Sequence, residues 1–144
     1  MALKKIYLLD TNILSEPTKP FPSEKVLLEL DSKSMFSVIS SSVWYEILKG
    51  IELLPDGKKK QTLVTEYLNY IQTSFPIIPY DEHCASLQAE IFARMKTNGI
   101  QIPIVDAQIA ATAMANNLIL VTKNTKDFEP ICRDFPLNLE NWFE

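Results

Sequence analysis

Apolar residues follow two rhythms along this chain. Short runs of strand length occur at Ile6 to Leu9, Met35 to Ser40, "PIIPY" (76–80) and Leu118 to Thr122. Between them, apolar positions recur at helical spacing. Val26, Leu27 and Leu30 mark a helix behind Ser23, a suitable N-cap. A second helix is expected from Ser40–Ser42 through "VWYEILKGI", with Gly50 as its stop. A longer one begins at Gly57, with Leu63, Tyr67, Leu68 and Ile71 as its stripe. Asp81 opens a helix in which Leu87, Ile91, Phe92 and Met95 repeat, and Gly99 ends it. The alanine-rich helix begins near Pro103 or Ile104 and runs to Asn116. "KNTKDFEPI" reads as a turn and short helix, and "PLNLENWF" as the site of a last edge strand.

Buried-type strands alternating with amphipathic helices predict an α/β fold, with a mainly parallel sheet and helices on both faces. In such folds, sites lie at the carboxyl ends of strands. Asp10 and Thr122 stand at two such ends.

Composition narrows the chemistry. The chain has 144 residues, 47% of them apolar, which fits one domain over residues 1–144 with a substantial core. No internal repeat stands out. The apolar run near the N-terminus stops at Asp10, too short for a signal peptide, and no segment approaches membrane-spanning length. A cytoplasmic protein with no membrane partner is expected. The 2 cysteines do not make a disulfide scaffold. The single histidine, His83, argues against Ser-His-Asp, Cys-His and zinc chemistry. The net charge of −4 means that any handling of phosphates rests on local lysines and arginines or on bound cations.

Four acids occupy positions that surface polarity does not explain. Asp10 follows "YLL", Glu46 lies inside "SVWYEILKGI", Asp106 sits between "IPIV" and "AQIAATAMA", and Asp127 lies just past the fourth strand. Each has an ordinary reading taken alone. Asp10 suits a helix N-cap, Glu46 a salt bridge to Lys49, Asp106 a first-turn acid favoured by the helix dipole, and Asp127 a solvated surface acid. Gathered together they would repel, by roughly 4 kcal/mol for two charges about 4 Å apart at an effective dielectric of about 20. A divalent cation resolves this, and carboxylate oxygens with waters suit Mg²⁺ or Mn²⁺. Thr11, Asn12 and Thr122 adjoin the acids in sequence and can either orient carboxylates or serve as turn and cap residues.

At these residues a family resemblance emerges. "LLDTNILSE", "SSVWYEILKGI", "IQIPIVDAQIAATAMANNLILVTKNTKDFEPI" and "LNLENWF" resemble the PIN domain, and within it the VapC group of toxin ribonucleases. The resemblance implies a three-layer α/β/α fold with a parallel sheet of about five strands. It also implies Mg²⁺- or Mn²⁺-dependent RNA cleavage leaving 5′-phosphate and 3′-hydroxyl ends. Asp10, Glu46 and Asp106 match the family's first three acids, and Asp10 and Asp106 are its expected metal ligands. The fourth group falls at Asp127 or at Asn124; Asp127 is favoured, with Asn124 auxiliary. The family's common Thr-Arg-Asn reads Thr122-Lys123-Asn124 here. As partners the family implies an RNA substrate, a protein antitoxin whose C-terminal segment covers the acid groove, and a second copy in a homodimer. Trp44, Tyr45 and Tyr67 suit such surfaces but are expected in the core.

The rivals are weaker. A haloacid-dehalogenase phosphatase requires Asp-x-Asp, and position 12 is Asn. A receiver domain requires an acidic pair ending the first strand, and Leu9 precedes Asp10. No phosphate-binding P-loop or nucleophile-elbow sequence occurs. The alternative from another class is a catalytically weak PIN-fold module that docks a basic protein segment or RNA without cutting it.

Overall fold

Strands β1 (Tyr7–Leu9), β2 (Ser37–Ser40), β3 (Ile77–Ile78), β4 (Ile119–Val121) and β5 (Leu139–Glu140) form one sheet in a computed structural model that describes residues 3–144. Residues 1 and 2 of the expected domain lie outside the described residues. The strand order is β3-β2-β1-β4-β5 and every pairing is parallel. Leu8 lies between Val38 and Leu120, and all three are buried, as a strand covered on both faces requires.

This order places the site. The chain winds outward from β1 through β2 to β3, then returns to the other side of β1 for β4 and β5. The winding direction therefore reverses between β1 and β4. With right-handed crossovers the two directions put helices on opposite faces and open a crevice at the carboxyl ends of the two strands.

The helices are α1 (Thr11–Ser15), α2 (Glu24–Lys33), α3 (Ser41–Glu52), α4 (Lys58–Thr62), α5 (Leu68–Ser74), α6 (Glu82–Thr97), α7 (Ile104–Ala115) and α8 (Thr125–Cys132). A π-helical stretch, Leu63–Tyr67, joins α4 to α5. Predicted caps form: Ser23 accepts the Val26 N–H at 3.3 Å, and Ser40 accepts that of Val43 at 3.1 Å. Asp81 accepts the Cys84 N–H at 3.0 Å. Gly99, at φ +71°, ends the α6 turn in a conformation that favours glycine. On α7, Ala107, Ala110, Ala111 and Ala113 are all buried, so α6 and β4 can pack closely against it. Among the described residues no helix is long and apolar enough to cross a membrane.

Several expectations change. α3 does not stop at Gly50. Buried Ile51, one turn beyond buried Ile47, carries it on to Glu52. The strand expected from Met35 begins only at Ser37, after a 3₁₀ turn over Ser34–Phe36. Phe92 leaves the stripe of α6 for solvent, at 67% exposed. Tyr45 is exposed rather than in the core, while Trp44 and Tyr67 are half-buried against it.

Candidate active site at the ends of the central strands

Asp10 is the first residue past β1. Its backbone N–H still reaches the sheet, donating to the Val121 carbonyl at 2.9 Å, while its carboxylate turns to cap α1. Oδ1 accepts the Thr11 N–H at 2.8 Å, and Oδ2 accepts the Thr122 hydroxyl at 2.9 Å. Asn12 completes the arrangement. Its Nδ2 donates to Asp10 Oδ2 at 3.4 Å and to Thr122 Oγ1 at 3.2 Å, and its Oδ1 accepts the Lys123 N–H at 3.0 Å. The ends of β1 and β4 are thereby joined through side chains.

Burial raises the pKa of Asp10 above the ordinary aspartate value. The Thr11 N–H and Thr122 hydroxyl oppose that rise, and the charges of Glu46 and Asp127 add to it.

The other acids arrive from three separate helices. Glu46, midway along α3, accepts the Thr11 hydroxyl on Oε1 at 2.7 Å. It makes no pair with Lys49, whose ammonium lies 5.7 Å from the centre of the Tyr45 ring. Asp106, in the first turn of α7, is half-buried. Desolvation, followed by the charges of Asp10, Glu46 and Asp127, pushes its pKa up to about 6. Ser42 donates to Gln108 Oε1 at 3.0 Å and ties α3 to α7, which carry Glu46 and Asp106. Asp127, in the first turn of α8, is exposed, yet its charge reaches both Asp10 and Asp106. Asn124 heads α8 with an exposed side chain that makes no cap, and its N–H donates to Thr122 Oγ1 at 3.1 Å. Among the described residues no lysine or arginine forms an ion pair with any of the four acids.

One further buried acid, Glu16, leaves little trace in the sequence. Glu16 is buried and pairs with Lys19 at 2.8 Å. Its only signal in sequence is the Glu-x-x-Lys spacing, which also describes many exposed pairs.

The sequence matches the family described as PIN domain over residues 7–133. The chain belongs to the PIN-domain family. Within it the chain groups with VapC-type toxin ribonucleases. It is 40% identical over 124 residues to Toxin FitB of Neisseria gonorrhoeae, covering 84% of this chain and 89% of that protein. It is 32% identical over 138 residues to Ribonuclease VapC2 of Rickettsia felis, covering 95% and 98% respectively. Among solved structures, VapBC2 from Rickettsia felis bound to a DNA fragment from its promoter superposes with a TM-score of 0.80 at 29% identity, covering 95% of this chain and 98% of that one.

In this PIN domain the donor set suits a hard divalent cation. Four carboxylates share one field without a basic partner, an arrangement that a bound cation relieves. Among the described residues no three His, Cys, Asp or Glu groups are disposed to hold an ion unaided. Mg²⁺ does not require that, since it is commonly held by one or two carboxylates and completed by waters and substrate phosphates. A carboxylate offers about four lone-pair sites, so Asp10 keeps acceptor capacity beyond its present hydrogen bonds.

Proposed function

We propose that this PIN domain, spanning residues 1–144, is a divalent-metal-dependent endoribonuclease and the toxin of a toxin–antitoxin pair. One observation carries the reading: carboxylates from four elements act on one another's charge beside the carboxyl end of β1 without basic partners. The relatives called toxin and ribonuclease point the same way.

Asp10 and Asp106 would hold the ion. When bound, Mg²⁺ or Mn²⁺ supplies charge stabilisation at the phosphate and a more acidic water. The chain's own residues prepare the site for it. Thr122 and the Thr11 N–H fix the Asp10 carboxylate in one orientation. Thr11 holds Glu46 through Oε1 and leaves Oε2 to orient the attacking water and take its proton. Asp127, exposed at the rim, serves the same water or a second ion, with Asn124 beside it as an auxiliary polar group.

An antitoxin would cover this groove, and its positive side chains would satisfy the acids. A homodimer has an apolar face available beside the groove between α6 and α7, where Phe92 and Ile104 are 67% and 71% exposed. The protein would act in the cytoplasm, where RNA is at hand.

The test is a nuclease assay on the purified protein with Mg²⁺, with EDTA, and with Asp10→Asn. Cleavage only by the unsubstituted protein in Mg²⁺ supports the reading. RNA binding without cleavage in any metal makes the protein a binding module instead.

A further inference from the structure

Next to the acid cluster lies a cavity of about 340 Å³ that shares Thr11 and Glu46 with it. Leu54 and Tyr67 give it an apolar wall, and Lys19 and Lys59 also line it. The hydroxyl of Tyr67 donates to the Leu14 carbonyl, which anchors that wall to α1. An apolar surface with ammonium groups beside it matches the two chemistries of a nucleotide, a base face and a phosphate.

Lys19 is not left to wander in solvent. Glu16, only 4% exposed, receives the Ser23 N–H on Oε2 at 2.9 Å and meets the Lys19 ammonium through Oε1 at 2.8 Å. The Lys19 side chain is itself 51% exposed. An ammonium has three donors, so one can face Glu16 while the others remain open toward the cavity. The Lys19 ammonium and the Ser23 N–H hold the Glu16 carboxylate below its ordinary range. The Lys123 charge adds to this, so a second ammonium lies in the same field. Burying a carboxylate outside the acid cluster is costly, and what it produces here is an ammonium held in place on the lining of the cavity that Glu46 also lines. A chain of net charge −4 needs such local cations to bring a polyanion to four carboxylates.

We propose that Lys19 binds a phosphate of the RNA strand next to the one cleaved at the acid cluster, and that Glu16 is a positioning residue that holds Lys19 at the mouth of the cavity. This rests on the ribonuclease reading and deepens it by placing the strand on the α1–α3 side of the cluster.

The experiment measures binding of a labelled single-stranded RNA oligonucleotide of mixed sequence over a series of salt concentrations, in Mg²⁺, by fluorescence anisotropy. The inactive Asp10→Asn protein is the background, so binding is read without cleavage. Lys19→Met should weaken binding several-fold and flatten the log–log salt slope by about 0.7, the value for one phosphate contact on a single strand. Lys19→Arg should restore both. Glu16→Gln keeps an acceptor for Ser23 and should shrink the effect of Lys19→Met, whereas a Glu16 that only braces the chain would lower the melting temperature and leave that effect unchanged. RNA affinity and slope untouched by Lys19→Met overturn the contact, even if affinity for a partner protein falls. An effect of Lys19→Met that Glu16→Gln leaves intact overturns the positioning role. RNA bound through Lys19 but never cut by the unsubstituted protein overturns the ribonuclease reading alone. No RNA binding at all overturns both.

Discussion

The hydroxyl of Thr11 donates to Glu46 across 2.7 Å while its backbone N–H donates to Asp10 at 2.8 Å, so one residue orients two acids that lie 36 positions apart in the chain. Thr11→Val keeps the backbone contact and the side-chain shape but removes the hydroxyl. It should lower kcat by about 10- to 100-fold, the usual cost of losing an orienting partner. Thr11→Ser should recover most of the loss. Steady-state cleavage kinetics with a melting curve for each variant checks this, and a Thr11→Val enzyme with unchanged kcat would remove Glu46 orientation from the account.

Thr122 is fully buried, and its hydroxyl serves three partners: Asp10, Asn12 and the Asn124 N–H. Thr122→Val replaces it with an isosteric methyl and leaves buried Asp10 short of a donor. Loss of about 1–3 kcal/mol of stability is expected from the unsatisfied groups, together with reduced activity. Chemical denaturation at neutral pH measures the first and a cleavage assay the second.

Asp106 makes the pH dependence of the metal-free protein informative. Its pKa is about 6 when folded, against an ordinary value of 3.8. Between these values the folded state binds more protons than the unfolded state, so this group's contribution to stability falls as pH rises through that window and stays low above it. Glu16 and Asp81 are shifted downward and work in the opposite sense, so the diagnostic quantity is the difference between two proteins. In EDTA, Asp106→Asn should gain stability relative to the unsubstituted protein as pH rises from about 4 to 6. Parallel melting-temperature profiles across that window would contradict the shared field.

Asp10→Asn should abolish cleavage and leave the fold intact, since Asn also caps helices well. It should raise the melting temperature in EDTA by removing a like charge, and shrink the rise that millimolar Mg²⁺ or Mn²⁺ produces. A melting curve of the unsubstituted protein that is indifferent to both metals counts against the ion.

The placement of Asp10 and Asp106 is legible in the chain because apolar runs end on charges. Leu8 and Leu9 predict a buried strand, so Asp10 has to lie at its edge. "AQIAATAMA" predicts a buried helix, so Asp106 has to lie at its head. Other features are set by tertiary contacts that leave no local period. α1 has five residues, too few for a periodic signal, and is held by the Asp10 cap and the burial of Ile13 and Leu14. Gly50 reads locally as a stop, but the packing of Ile51 overrides it. Tyr45 looks like core by residue type, yet its place on α3 faces solvent beneath Lys49. Glu16 is silent in sequence because its burial depends on how the turn into α2 folds back, where the Ser23 N–H meets it.

Metal-dependent RNA cleavage at the acid cluster is checked by mapping RNA ends across the transcriptome after brief expression of the unsubstituted protein and of Asp10→Asn. New 5′-phosphate ends are expected at a restricted set of sites with the first protein and none with the second. Indistinguishable end maps from the two proteins would contradict it.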